Sequence, residues 1–163
     1  MSSTRNAVRA LVLNEQHSKL LLLKVRSPVD NAFLWMTPGG GIEAGESKVQ
    51  ALIRELWEET GYRLTEEVIP VWTRRFSFET GNGLFKQFET FYRLTVPQFT
   101  ATMRHNPALN EKAIFSQFKW WPILDIQNST ERFAPHDLGV QLTKLLDNDT
   151  DASVNGPVDI SLS

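Results

Sequence analysis

The chain contains no cysteine, and that absence removes several chemistries at once. Disulfide bonds, thiolate metal sites and cysteine nucleophiles are all excluded. Long apolar runs are also missing. Stretches such as Leu20 to Leu23 fall far short of the roughly 20 residues that span a bilayer, so no membrane insertion is expected. Neither sign of charge is in surplus: 17 Lys and Arg stand against 19 Asp and Glu, for a net charge of −2. Nothing draws the whole surface toward DNA or an anionic membrane. A polyanionic ligand would have to be held by local cations or by bound metal. The three histidines, His17, His105 and His136, are too scattered for a zinc site. The opening MSSTRNAVRA lacks the apolar stretch of a secretory leader, so a cytoplasmic location is the expectation.

What is present is a core. Hydrophobic residues make up 41% of 163 positions, which fits one domain. Residues 1–146 are read as that domain, and 147–163 as a polar tail expected to be disordered. AVRALVLN (Ala7 to Asn14) and KLLLLKVR (Lys19 to Arg26) read as strands, and the leucine run of the second suits burial on both faces. FLWMTP is a short strand stopped by Pro38. A helix follows from about Ser47 to Thr60. Ser47 with Gln50 forms a capping box, and Gly61 stands where a helix-ending glycine belongs. Val49, Leu52, Ile53 and Leu56 recur at helical spacing as its expected buried stripe. Strands are expected at Val68 to Thr80 and Leu84 to Val96, joined through Gly81-Asn82-Gly83. A last strand from Phe115 to Leu124 and a helix from Pro135 to Leu146 close the domain. This order predicts an α/β fold with a mixed sheet between helices.

The central helix is electrostatically odd. Glu55, Glu58 and Glu59 fall within about 100° of one another on a helical wheel. Like charges so placed repel, and Glu58 and Glu59 oppose the helix dipole at its C-terminal end. Arg54 can offset part of this. A hard divalent cation with oxygen ligands, such as Mg²⁺, would offset far more. The preceding Gly39-Gly40-Gly41 lets backbone approach a metal or phosphate closely.

These residues resemble the signature of the Nudix (MutT-like) hydrolases. Gly40 is followed, after five intervening residues, by Glu46, then by Arg54-Glu55-Leu56, Glu58-Glu59, Gly61 and Tyr62. Only Tyr62 departs, standing where a branched aliphatic residue is usual. The resemblance implies the family's α/β/α sandwich, with the acidic loop-helix-loop at the active site. It implies hydrolysis of a nucleoside diphosphate linked to another group, using Mg²⁺ or Mn²⁺. Carried onto this chain, Glu55, Glu58 and Glu59 are the metal-ligand candidates, joined by the backbone carbonyl of Gly39. Arg54 orients the glutamates, Glu46 pairs with Arg54, and Gly40 and Gly61 shape the motif. The general base is Glu58 or Glu59 in the motif, or Glu111 on a later loop.

Substrate markers are sparse. Trp35, Phe78 and Phe88 are candidates to stack a base, and Arg74 to reach a phosphate, although most strand aromatics are expected in the core. The expected partner is a small nucleotide, with no membrane or DNA partner; dimerisation is common in the family. Two other readings stand beside the enzyme: a nucleotide-sensing module that does not cleave, and a pyrophosphohydrolase of RNA 5′ ends.

Overall fold

A computed structural model describes residues 3–27, 29–107, 115–148 and 156–161. In chain order the elements are β1 Thr4–Asn14, β2 Lys19–Arg26, β3 Phe33–Met36, β4 Gly39–Gly41, α1 Lys48–Thr60, β5 Ile69–Thr80 and β6 Gly83–Val96. They continue with β7 Phe115–Pro122, α2 Ile123–Asn128, β8 Phe133–Ala134, α3 Leu138–Asp147 and β9 Val158–Asp159. The strands join in the order β8-β3-β2-β1-β6-β5-β9, with β4 on β1 and β7 on β2. The sheet is mixed: β1 runs parallel to β6 and antiparallel to β2 and β4.

The period-2 alternation of strand side chains divides the core into two layers. Leu11, Leu13, Leu20 and Leu22 face α2 and α3, meeting Leu138, Leu142 and Leu145. Val8, Ala10, Val12 and Leu21 face α1, meeting Ala51, Leu52 and Leu56. Leu20 through Leu23 are thus all buried, as their unbroken apolar run predicts. The result is the expected α/β/α sandwich.

Helix α1 starts and stops as its sequence dictates. The Ser47 side chain accepts from the Gln50 amide and the Gln50 side chain accepts from Ser47 N–H, while Gly61 ends the helix at φ 78°. Its buried face is the expected one in part: Leu52 and Leu56 are buried. Val49 and Ile53 are exposed, at 43% and 41%, and the inward residues are Ala51, Leu52, Leu56, Glu59 and Thr60. The inward stripe therefore follows the i, i+4 rows 51-55-59 and 52-56-60. Small Ala51 lets the helix lie close to the sheet, and Glu55 and Glu59 share its row.

Three other expectations change. The glycine run is a strand, with Arg9 opposite Gly39 and Ala7 opposite Gly41. β7 ends at Pro122, which caps α2, and α3 begins at Leu138 instead of Pro135. Within the tail, Val158–Asp159 pair with Trp72 and Thr73 of β5, and Ile160, 4% exposed, enters the core. An open β5 edge needs pairing; the strand that supplies it is held by Ile160 in the core and by hydrogen bonds from Ile160 N–H to Thr73 O and from Arg75 N–H to Ser161 Oγ. Ile160→Ala should cost about 2–3 kcal/mol in urea unfolding, the usual effect of truncating a buried isoleucine. A cost below ~0.5 kcal/mol would show that this docking contributes nothing.

Candidate active site

The glycine strand is a septum between two charged clusters. On one side lies α1: Gly39 N–H donates to Glu59 Oε1 at 2.8 Å, and a Cβ on Gly40 would meet the Glu55 carboxylate. On the other side a Cβ on Gly41 would lie 2.6 Å from Arg5 Nη2. Side chains larger than hydrogen would push the two clusters apart.

Arg54 organises the acidic side. Its Nε and Nη2 donate to the two oxygens of Glu46 at 2.7 and 3.0 Å, the pairing expected of these residues. Nη2 also donates to Gly41 O at 3.0 Å, tying helix to loop. Nη1 donates to Glu55 Oε1 at 2.8 Å and to Glu58 Oε2 at 3.4 Å, and Glu43 lies 3.7 Å away. Four carboxylates thus share one guanidinium. Burial, then the neighbouring charge of Glu55, pushes the Glu58 carboxyl above its ordinary value. The hydrogen bonds from Arg54, foremost, and from the Glu43 backbone hold Glu46 down at about 2.

That shift has a sign that can be measured. The folded pKa of Glu46 lies below its ordinary 4.5, so its stabilising contribution is full above pH 4.5. It fades as pH falls toward 2. The Tm advantage of the wild type over Glu46→Gln should therefore be constant at neutral pH and shrink between pH 4.5 and 2. A Tm gap that stays constant across that window would contradict it.

Beyond the septum is a cleft of about 370 Å³. Its floor is a buried polar network. Glu89, 2% exposed, accepts from Arg74 Nη1 at 2.8 Å, Arg9 Nε at 2.9 Å and Gln87 Nε2 at 2.9 Å. Gln87 Oε1 in turn accepts from Arg5 Nη1 at 2.9 Å. Burial pushes the Glu89 carboxyl up, but Arg9 and Arg74 outweigh it and hold the group ionised, below its ordinary value. One wall is aromatic: Phe78 packs 4.9 Å from Phe85 and 6.0 Å from Phe76, ring centre to ring centre.

Of the substrate-binding candidates, Arg74 and Phe78 line this cleft. Trp35 does not. It is 2% exposed in the core, edge-on to Trp121, with Nε1 donating to Glu131 at 2.9 Å. Its neighbours Leu34 and Met36 take the cleft-facing positions of β3. Phe88 likewise has the wrong parity on β6: it turns to the α1 face, under Lys48 and Arg75. Glu111 lies outside the described residues. Arg5, Arg9, Gln87 and Glu89 escaped the sequence reading. Two signals pointed to them: an arginine inside the apolar AVRALVLN, and polar Gln87 and Glu89 alternating with aromatics in β6.

Crowded carboxylates on one side of a glycine strand, and an arginine-floored, aromatic-walled cleft on the other, suit a ligand that is both phosphorylated and ring-bearing. Residues 3–140 match the NUDIX domain, and the chain belongs to that family. It is 29% identical over 132 residues to the RNA pyrophosphohydrolase of Campylobacter jejuni, covering 78% of this chain and 81% of that one. It is 39% identical over 82 residues to an m7GpppN-mRNA hydrolase of Xenopus laevis, covering 47% of this chain and only 28% of that relative's length. In structure it resembles the MutT protein of Methanosarcina mazei, with a TM-score of 0.63 at 23% identity, covering 88% of this chain and 95% of that one. Nudix hydrolases generally use divalent metal ions.

Proposed function

We propose that the chain is a Mg²⁺-dependent hydrolase that cleaves a pyrophosphate bond in a nucleoside diphosphate linked to another group. The observation that carries this reading is the complete acidic motif, folded onto the glycine strand beside an arginine-floored cleft. Relatives named as pyrophosphohydrolase and mRNA hydrolase support it.

The residues fit a hard cation. Among the described residues no three acidic or histidine side chains converge on one point as they stand. Four carboxylates nonetheless share one arginine, and burial, then the charge of Glu55, raises the Glu58 carboxyl. Glu55, Glu58, Glu59 and the Gly39 carbonyl would hold Mg²⁺ or Mn²⁺. When bound, the ion would neutralise the diphosphate and acidify a water. Arg54 keeps Glu55 and Glu58 aimed at the loop through Nη1 while anchoring to Glu46. Gly39 N–H fixes Glu59 beside them. A glutamate of this set, or Glu111, takes the proton of the attacking water. The cleft orients the nucleoside so that the diphosphate lies across the glycine strand.

The test is a panel of nucleotides, assayed with Mg²⁺ and Mn²⁺ for release of phosphate or pyrophosphate. Hydrolysis in H₂¹⁸O would locate the attacked phosphorus. Turnover of at least one class is the expected result; binding without turnover on the whole panel would favour a sensing module. RNA 5′ ends belong in the panel, because the Campylobacter relative is named an RNA pyrophosphohydrolase.

A further inference from the structure

The cleft floor is rich in donors, and each side-chain oxygen of Glu89 and Gln87 already accepts a hydrogen bond from within it. Both oxygens of Glu89 are engaged, Oε1 by Arg74 and Oε2 by Arg9 and Gln87. The side-chain oxygen of Gln87 is engaged by Arg5. Each guanidinium carries five N–H groups, more than these bonds consume. Arg9 spends two of its nitrogens, Nε on Glu89 and Nη1 on Thr37 O. Arg5 and Arg74 each spend one on the floor. Three guanidinium charges face one carboxylate, so the floor keeps a positive surplus. Burial, and then repulsion from Arg9, holds the Arg5 guanidinium below its ordinary range. The other polar side chains of the lining, Ser27, Thr37 and His136, can donate or accept and so do not discriminate.

Resting on the reading of this cleft as the nucleotide site, we propose that its floor selects the base by carbonyl oxygen. It takes rings with a keto edge, such as hypoxanthine, guanine or uracil, and disfavours adenine. The reason lies in the edges of the bases. A 6-keto purine presents two adjacent acceptors, O6 and N7, which a guanidinium fork can grip; adenine replaces O6 with an amino donor. That amino group would point at N–H groups and have to compete with the arginines and Gln87 for the oxygens of Glu89 and Gln87. A site whose polar groups are left unpaired by a ligand rejects that ligand strongly. A phosphate would also satisfy the donors, but the adjoining wall of Phe76, Phe78 and Phe85 offers ring faces, which stack a base.

The test compares inosine and adenosine 5′-monophosphates, which carry the same ribose and phosphate. Their Kd values for the full chain, measured by calorimetry without metal, read the cleft and not the hydrolysis. The inosine nucleotide should bind at least ~10-fold tighter, the discrimination of about one good bidentate pair. Equal affinities, tighter adenosine binding, or no binding of either at millimolar concentration would overturn the proposal. Arg74→Met removes a donor and uncovers Glu89 Oε1 as an acceptor. It should shift the ratio toward adenosine by ~10-fold, whereas a merely structural arginine would weaken both ligands alike. A variant that folds yet keeps the wild-type ratio would also overturn the floor assignment, and if it does not fold the wild-type ratio decides alone. Failure of the nucleotide panel would count against the hydrolase reading without touching these affinities.

Discussion

Glu59→Gln should lower kcat by roughly 10³-fold or more at saturating Mg²⁺ while leaving the fold intact, equivalent to about 4 kcal/mol of lost transition-state stabilisation. The substitution is unusually clean here because of one hydrogen bond. Gly39 N–H donates to Glu59 Oε1, and a glutamine keeps an oxygen at that place. The glycine strand therefore stays docked on α1. What is removed is the negative charge, and a neutral amide cannot replace a carboxylate facing a divalent cation. Glu59 is only 8% exposed, so solvent does little to screen that charge. Steady-state kinetics across a Mg²⁺ series, with Tm measured on the same samples, checks the prediction. A folded variant with near wild-type kcat would remove Glu59 from the chemistry.

The acidic motif was legible in the sequence because it is local. Helical spacing alone places Glu55 and Glu59 in one row, and the Ser47 and Gly61 caps fix where that row begins and ends. The face of the helix was half legible for the same reason. Leu52 and Leu56 are buried as expected, but Val49 and Ile53 satisfy the period as well as Ala51 and Thr60 do, and only contact with the sheet decides between them. The cleft was hardly legible, because it depends on register. Arg9 meets Glu89 across 80 positions of chain, through the parallel pairing of β1 with β6. A one-residue slip would send Glu89 to the α1 face and bring Phe88 into the cleft. Trp35 and Phe88 were placed on the right strands, but parity assigned one to the core and the other to the opposite face. Phe78 and Arg74 were chosen on the same grounds and fall on the cleft side. Composition did not show the order of the described residues 156–161, which comes from pairing with β5 and burial of Ile160.

Two adjacent glycines should fail in different ways when each is changed to alanine, and the contrast tests the septum directly. Gly39 sits at φ 150°, where L residues are strained. A Cβ there would run into the backbone oxygen of Val8 and the Arg9 Cα. Backbone has no rotamer by which to yield, so Gly39→Ala should cost about 3 kcal/mol or more in urea unfolding. Gly40 carries no such strain. The nearest atoms to its Cβ would be those of the Glu55 carboxylate, 2.5 Å from Oε1, at the end of a flexible side chain. Glu55 can swing away, so Gly40→Ala should cost no more than about 1 kcal/mol of stability. The displaced carboxylate would then leave Arg54 Nη1 and the place beside Glu59 where its charge is needed. A shift of about 1 Å in a positioned group can cost ~10² in rate, and that is the expected loss of kcat. Denaturation and kinetics on the same two proteins separate the outcomes. Should Gly40→Ala keep full kcat, the Glu55 carboxylate would not need the place it occupies against the glycine strand. Should both variants lose stability equally, the strand would be a packing element alone, and its position between the acidic helix and the arginine floor would carry no chemistry.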